Sequence, residues 1–273
     1  AQVGIALGHR GTDVAREAAG LVLLDEDFGR IVEGVRMGRR IFDNLQRVSA
    51  YIVAIHVPLA TVALVPLLLG WPPLLLPAHV VLIEMVVDPA CSLAFEAAPG
   101  ARDLMERPPR PVDQGLLTAA QTSRAVALGL ILALTTLAGW AWARHAGWTD
   151  EQARALCLVA LTAGNLSLMF LLGLVPSCSL HAGAKPSAPT KPSVSAELYS
   201  PTSSLTQSGS LMPMIAVAAS ALLAMGLGLW WPGAAHLLQV QPLGVVSMVV
   251  AVLLGSGPVV LAGLLTRRRP AGR

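Results

Sequence analysis

Apolar residues along this chain fall in long blocks, and the polar ones collect in the gaps between them. From Val48 to Ala101 the only acidic or basic side chains are Glu84, Asp88 and Glu96. Ala125 to Ala143, Ala155 to Ala184 and Leu198 to Thr266 carry none. A helix needs about 20 apolar residues to cross the hydrocarbon core. The blocks therefore predict six transmembrane helices, at roughly 48–69, 74–95, 117–142, 154–175, 213–231 and 241–265. Trp71, Trp140, Trp142, Trp148, Trp230 and Trp231 all fall at or near the ends of these spans, where indole rings suit the membrane interface.

The first 47 residues follow another pattern. Val3–Leu7 reads as a short buried strand, Gly8 and Gly11 bracket a turn, and Thr12-Asp13 supplies an N-cap for a helix over Val14–Ala19. Leu21–Leu24 reads as a second strand running into the acidic turn Asp25-Glu26-Asp27. Strand, helix, strand predicts the edge of an α/β domain with a parallel sheet. Two strands and one helix do not make a core, and the chain starts without Met inside a strand. The expectation is therefore that most of this domain lies upstream. From Phe28 onward, Ile31, Val32, Val35, Ile41, Leu45 and Val48 recur at helical spacing, with Arg36, Arg39, Arg40 and Arg47 between them. No proline intervenes before Pro58, which predicts one helix from about Phe28 into the first membrane span, a mechanical coupler.

Composition supports the membrane reading. Of 273 residues 54% are hydrophobic and 13% charged, against about 25% charged in soluble domains. A disordered chain, a collagen and a disulfide scaffold are excluded as global descriptions. The net charge of +3 gives no nucleic-acid signal, because the arginines flank apolar runs and form no basic stripe. Cys91, Cys157 and Cys178 are isolated and read as small apolar residues. Arg102, Arg107, Arg110, Lys185, Lys191, Arg267, Arg268, Arg269 and Arg273 lie on one set of loops, while the opposite set carries Arg144 and Arg154. The positive-inside rule makes the first set cytoplasmic, so both termini lie inside. Residues 176–212, rich in Ser, Pro and Thr, read as a flexible cytoplasmic loop.

The candidate chemistry in the membrane is narrow. Glu84 and Asp88 stand four residues apart in the second span and share a helix face. Two carboxylates in the hydrocarbon core repel unless a cation or a shared proton lies between them. Pro89 frees a backbone carbonyl nearby, as Pro58 does beside His56 in the first span. Such ligands suit Ca²⁺, Mg²⁺, Mn²⁺, Na⁺ or a proton. Asn165 is a polar residue in the middle of the fourth span, placed either for an interhelical hydrogen bond or for the same site.

Three runs in the soluble segment carry a specific resemblance: Gly4-Ile5-Ala6-Leu7-Gly8, Gly11-Thr12-Asp13-Val14-Ala15-Arg16-Glu17-Ala18-Ala19 and Leu23-Leu24-Asp25-Glu26-Asp27-Phe28. They resemble the end of the phosphorylation domain of P-type cation-transporting ATPases. Arg39-Arg40-Ile41-Phe42-Asp43-Asn44 resembles the stalk helix that follows, and His56-Val57-Pro58 with Glu84 to Pro89 resembles a bacterial branch related to the calcium pumps. The resemblance implies a predominantly α-helical membrane protein of six transmembrane helices, preceded by an α/β, HAD-like remnant and a stalk helix. Its parts would be 1–27 as the edge of the phosphorylation domain, with Gly11, Thr12 and Asp13 structural there, and 28–47 as the stalk. Spans one to four would occupy 48–175, the loop 176–212, spans five and six 213–266, and a basic cytoplasmic tail 267–273.

The resemblance further implies that Glu84, Asp88, Asn165 and His56 bind the transported ion, with Glu84 and Asp88 as metal ligands. Arg40, Asp43 and Asn44 would act in coupling. Leu59 and Thr162 stand where acidic ligands are expected in the family, which leaves the ion open. The phosphorylated aspartate is not in this chain. ATP and Mg²⁺ would act in the parent pump, so a fragment by itself is expected to be inactive. The implied partners are the lipid bilayer, the transported cation and the remaining N-terminal part of the pump, in a bacterial plasma membrane. The competing reading is a stand-alone six-span channel or accessory scaffold without ATPase activity.

Overall fold

The computed structural model describes residues 3–9, 11–25, 27–84, 93–96, 98, 100–101, 103–109, 115–173 and 211–267. Asp88, Pro89, Cys91, the segment 176–210 and the tail beyond Arg267 lie outside the described residues. The chain divides into two units, one of residues 1–43 with 100–109 and one of residues 44–99 with 110–273.

In the first unit, β1 (Ile5–Leu7) and β2 (Leu21–Leu23) pair in parallel, Ile5 opposite Leu21 and Leu7 opposite Leu23, with α1 (Asp13–Ala18) as the crossover. Thr12 caps α1 by accepting the Ala15 N–H at 3.2 Å. Gly11 N–H donates to Leu7 O at 2.8 Å, and a Cβ at residue 11 would overlap that oxygen, so the tight turn requires glycine. Arg16 pairs with Asp13 and donates to Gly8 O at 2.7 Å. In β1 and β2 only Ala6 and Leu23 are buried. An apolar groove of about 380 Å³ runs along β1 and α1 between Ile5, Leu7, Ala15 and Ala18.

α2 (Gly29–Leu68) is one 40-residue helix, as the uninterrupted periodicity predicts, and it continues through Pro58 and Pro66. Its residues up to Asp43 belong to the first unit and the remainder to the second.

The second unit adds α3 (Pro77–Leu82), α4 (Ala119–His145), α5 (Asp150–Gly173), α6 (Leu211–Trp230), α7 (Pro232–Leu238) and α8 (Val245–Arg267). Five helices among the described residues, α2, α4, α5, α6 and α8, are long and apolar enough to cross a membrane. The predicted second span is described only in part. α3 widens into a π-type turn at Ile83 and Glu84, and a further helical turn covers Leu93–Glu96. The predicted boundaries shift where capping sets them. Thr118 and Gln121 close reciprocal hydrogen bonds and start α4, while Thr149 and Gln152 do the same four residues ahead of the predicted fourth span. α7 falls in what the pattern read as a loop. Pro232 starts it, and Gln239 ends it in the left-handed region at φ 50°.

α5 lies at the centre of this unit, packed on α4, α6 and α8, and most of its residues are buried. Lipid tails are as apolar as leucine, so membrane helices gain from close packing at small residues. A Cβ at Gly255 on α8 would overlap the Ala160 carbonyl of α5, so these backbones meet directly. Leu132 of α4 and Leu171 of α5 fill the sockets left by Gly164 and Gly263. At one end Trp71 stacks on the buried Trp140 at 5.0 Å, and Trp142 meets Trp148 edge-on at 5.7 Å. Trp142, Trp230 and Trp231 are exposed.

Candidate cation site and stalk contacts

Two of the four membrane residues singled out from the sequence stand together. His56 lies on α2 and Glu84 on the π-type turn after α3, with His56 Nε2 3.6 Å from Glu84 Oε1. His56 Nδ1 lies 2.8 Å from Ile52 O. A carbonyl only accepts, so Nδ1 carries the proton, and in the neutral ring Nε2 presents its lone pair toward the carboxylate. A π-type turn often marks a functional position in a helix, because it turns a side chain out of the regular register.

Pro58 has no N–H, so the Ala54 carbonyl has no donor four residues on. The freed oxygen faces α4, where a Cβ on Gly129 would overlap it. The sequence reading expects this proline to supply an oxygen to the ion site; the Ala54 oxygen is instead backed by the third predicted span.

Asn165, on α5, is buried, and its Oδ1 has no hydrogen-bond partner among the described residues. A buried acceptor left unpaired costs about 1–3 kcal/mol. Asp88 lies outside the described residues.

Of the expected coupling residues, Asn44 is buried where α2 enters the second unit. Its Nδ2 donates to Ala98 O at 3.1 Å and Glu96 O at 3.4 Å, on the chain that follows the second predicted span. Gln46, not singled out from the sequence, donates to Leu116 O at 2.8 Å just ahead of α4. In the first unit Arg107 donates to Asp43 at 3.1 Å and holds Asp103 through two bonds of 2.7 and 2.9 Å. Arg39 Nη1 donates to Leu104 O and Arg107 O, both at 2.8 Å. The stem of Arg40 packs beside Gly100. Segment 100–109 therefore clasps α2 through Arg39 and Asp43. The sequence reading used Arg107 only as a topological charge; a partner 64 residues away leaves no periodic signal.

His79 was also missed. It is fully buried, accepts the Leu76 N–H at Nδ1 (3.1 Å) and donates from Nε2 to Leu238 O (2.7 Å), tying α3 to α7. One tautomer satisfies both bonds.

Residues 72–173 match the family described as "Cation transporting ATPase, C-terminus". The chain is 34% identical over 139 residues to the endoplasmic reticulum-type calcium-transporting ATPase 4 of Arabidopsis thaliana, covering 50% of this chain and 13% of that protein. It is 32% identical over 139 residues to a calcium-transporting ATPase of Bacillus subtilis, covering 50% and 15%. It is 42% identical over 112 residues to the sodium/potassium-transporting ATPase subunit alpha-3 of Gallus gallus, covering 40% and 11%. The chain thus spans less than a fifth of the length of these relatives. Over residues 72–173, and over about half of its length, the chain is thus similar to the C-terminal region of cation-transporting ATPases. The alternative of a stand-alone six-span channel or accessory scaffold is not favoured.

Proposed function

We propose that this chain forms the ion-binding and stalk part of an ATP-driven cation pump. The observation that carries the reading is the pairing of His56 with Glu84, two ionisable side chains standing in predominantly apolar stretches of the chain. An ionisable pair at bilayer depth is costly and is kept for function. With Asp88 four residues beyond Glu84, and the orphaned Asn165 Oδ1, it supplies a set of nitrogen and oxygen donors for a cation. The His56 side chain is 52% exposed in this chain. Lipid does not solvate such a pair, so further protein of the same pump covers that face.

The finer architecture follows from the same reading. The segment Ile83 to Glu96 completes a second span, which makes six. Residues 1–27, with Gly11, Thr12 and Asp13 in their turn, form the edge of a HAD-like phosphorylation domain, and the open apolar groove along β1 and α1 receives the rest of it. ATP and Mg²⁺ act in that part of the pump. Residues 28–47 are the stalk; the expected loop 176–212 is cut back to 176–210, because α6 begins at Leu211, and the basic tail to 268–273, because α8 runs to Arg267. Both termini lie on the cytoplasmic side of a bacterial plasma membrane.

Coupling uses α2. From Asn44 to His56 is twelve residues, about 18 Å at 1.5 Å per residue. A continuous helix carries an axial or tilting displacement from the clasped stalk to the ion site. In the pump containing this chain, Asp88→Asn abolishes ion-stimulated phosphorylation, and Arg107→Ala lowers turnover while ion affinity is kept. Full ion-stimulated phosphorylation of the Asp88→Asn pump rejects the assignment.

A further inference from the structure

We infer that α7 and the tryptophans around it rest on lipid, in the glycerol and carbonyl layer of the leaflet at the end of the bundle where α2 and α4 finish. The inference depends on the membrane crossing of these helices and not on the ion-site reading.

The first observation is where the tryptophans stand. All six of this chain fall in three short stretches, at 71, at 140–148 and at 230–231. The structure brings these stretches to one end of the second unit. Trp71 follows α2 and stacks on Trp140 near the end of α4, and Trp142 meets Trp148 in the turn ahead of α5. Trp230 closes α6. Arg154, near the start of α5, donates to Pro73 O at 3.3 Å and to Gln239 Oε1 at 3.1 Å. The connection after α6 therefore lies level with the one after α2. Indole rings gather at this depth of a bilayer because they join an apolar body to an N–H donor.

The second is length. α6 has 20 residues, about 30 Å at 1.5 Å per residue, which matches the hydrocarbon core. Trp230 and Trp231 reach the boundary of that core, and α7 starts there. His79 Nε2 donates to Leu238 O at 2.7 Å, and Val240 and Leu243 are buried. The connection is thus held against the bundle at this level and does not rise from it as a free loop.

The third is what α7 turns outward. Leu238 packs inward, while Trp231 and Leu237 are 64% and 70% exposed, with the exposed Val245 and Val246 just beyond. His236 is exposed beside them. Interfacial helices of this kind set their apolar side chains about 5–10 Å into the boundary of headgroups and acyl chains. The exposed indoles occupy two flanks, Trp142 on α4 and Trp230 on α6, each helix packed on α5. This face continues the lipid-crossing surfaces of α4 and α6, so lipid is its occupant.

The test uses the full chain in nanodiscs whose lipids carry bromine either high on the acyl chain or near its end, with acrylamide as the aqueous quencher. Subtracting the emission of Trp230→Phe/Trp231→Phe isolates these two indoles, and Trp231→Phe alone supports the subtraction if the double variant folds poorly. Bromine high on the chain is expected to quench them about twice as strongly as bromine near its end, the depth of an interfacial helix. Acrylamide is expected to quench them less than free tryptophan. In the same subtraction Leu237→Glu, at an exposed position, lowers the lipid quenching by about half and Leu237→Met keeps it. Full acrylamide quenching without lipid quenching makes residues 230–246 an aqueous loop and overturns the inference. Quenching by neither means that protein, such as a second copy, covers the face, and overturns it too. So does quenching strongest from the chain ends, or lipid quenching unchanged in Leu237→Glu.

Discussion

Arg107 reaches back 64 residues to Asp43 at 3.1 Å while gripping Asp103, its neighbour four residues before, with two further bonds. Asp43 is 8% exposed and Arg107 19%, so the pair is largely removed from water. Removing one partner leaves the other charge desolvated, and bonds to charged groups contribute about 1.5–3 kcal/mol. Asp43→Ala and Arg107→Ala are each expected to destabilise the chain by about 1–3 kcal/mol. The double variant should cost less than their sum by at least about 1 kcal/mol. Thermal unfolding in detergent reads the cycle, and strict additivity rejects the clasp.

His79 ties α3 to α7 through Leu76 N–H and Leu238 O. Its replacement by phenylalanine keeps the volume and orphans both backbone groups in a buried setting. The expected cost is about 1–3 kcal/mol for an unpaired buried group. His236→Phe, at an exposed position on α7, is expected to change stability by less than about 0.5 kcal/mol. Equal melting temperatures for the two variants argue against the tie.

Much of the fold is legible in the sequence, for a physical reason. Membrane helices announce themselves through apolar length, so α2, α4, α5, α6 and α8 lie where the charge-free blocks predict. The continuity of α2 follows from the absence of proline before Pro58. The β1–α1–β2 order and its parallel pairing follow from glycine, threonine and aspartate at the turns between apolar runs. The relations between distant segments are not legible. Nothing in the local pattern joins Arg107 to Asp43, Gln46 to Leu116 or His79 to Leu238. Their partners lie far along the chain and are chosen by packing. His56 and Glu84 were legible one by one, because isolated ionisable groups in apolar runs stand out. Their 3.6 Å approach was not, since it depends on how α2 and α3 meet. The short α7 was hidden because Pro232 to Gln239 carries turn-forming residues that also suit a capped helix.

Gly255 and Gly257 stand two residues apart on α8 and have different surroundings. A Cβ at 255 overlaps the Ala160 carbonyl, while at 257 it meets nothing within 4 Å. Gly255→Ala must push α8 away from α5, and overpacking of this kind costs about 1–3 kcal/mol. Gly257→Ala should be neutral or gain up to about 1 kcal/mol, since alanine is the better helix former. Melting of the two variants in one detergent decides the matter. If Gly255→Ala is as stable as the wild type, the α5–α8 contact is not the close one described.

Asn165 separates a structural role from a ligand role. Its buried Oδ1 has no partner among the described residues, so in the cation-free chain it is a liability. Replacing a buried polar group by an apolar one of similar size is near neutral or stabilising when no bond is lost. Asn165→Leu should therefore melt at or above the wild-type temperature without added cation. A ligand that binds only the folded state at 100 times its Kd adds about 2.7 kcal/mol. Wild type saturated with a cation that it binds should show an upward shift of that size, and Asn165→Leu should lose most of it. Sites retained for function are commonly paid for in stability, and this variant reverses that exchange at one residue. A variant that melts lower and keeps the full cation shift assigns Asn165 to packing, and leaves His56, Glu84 and Asp88 as the ion's ligands.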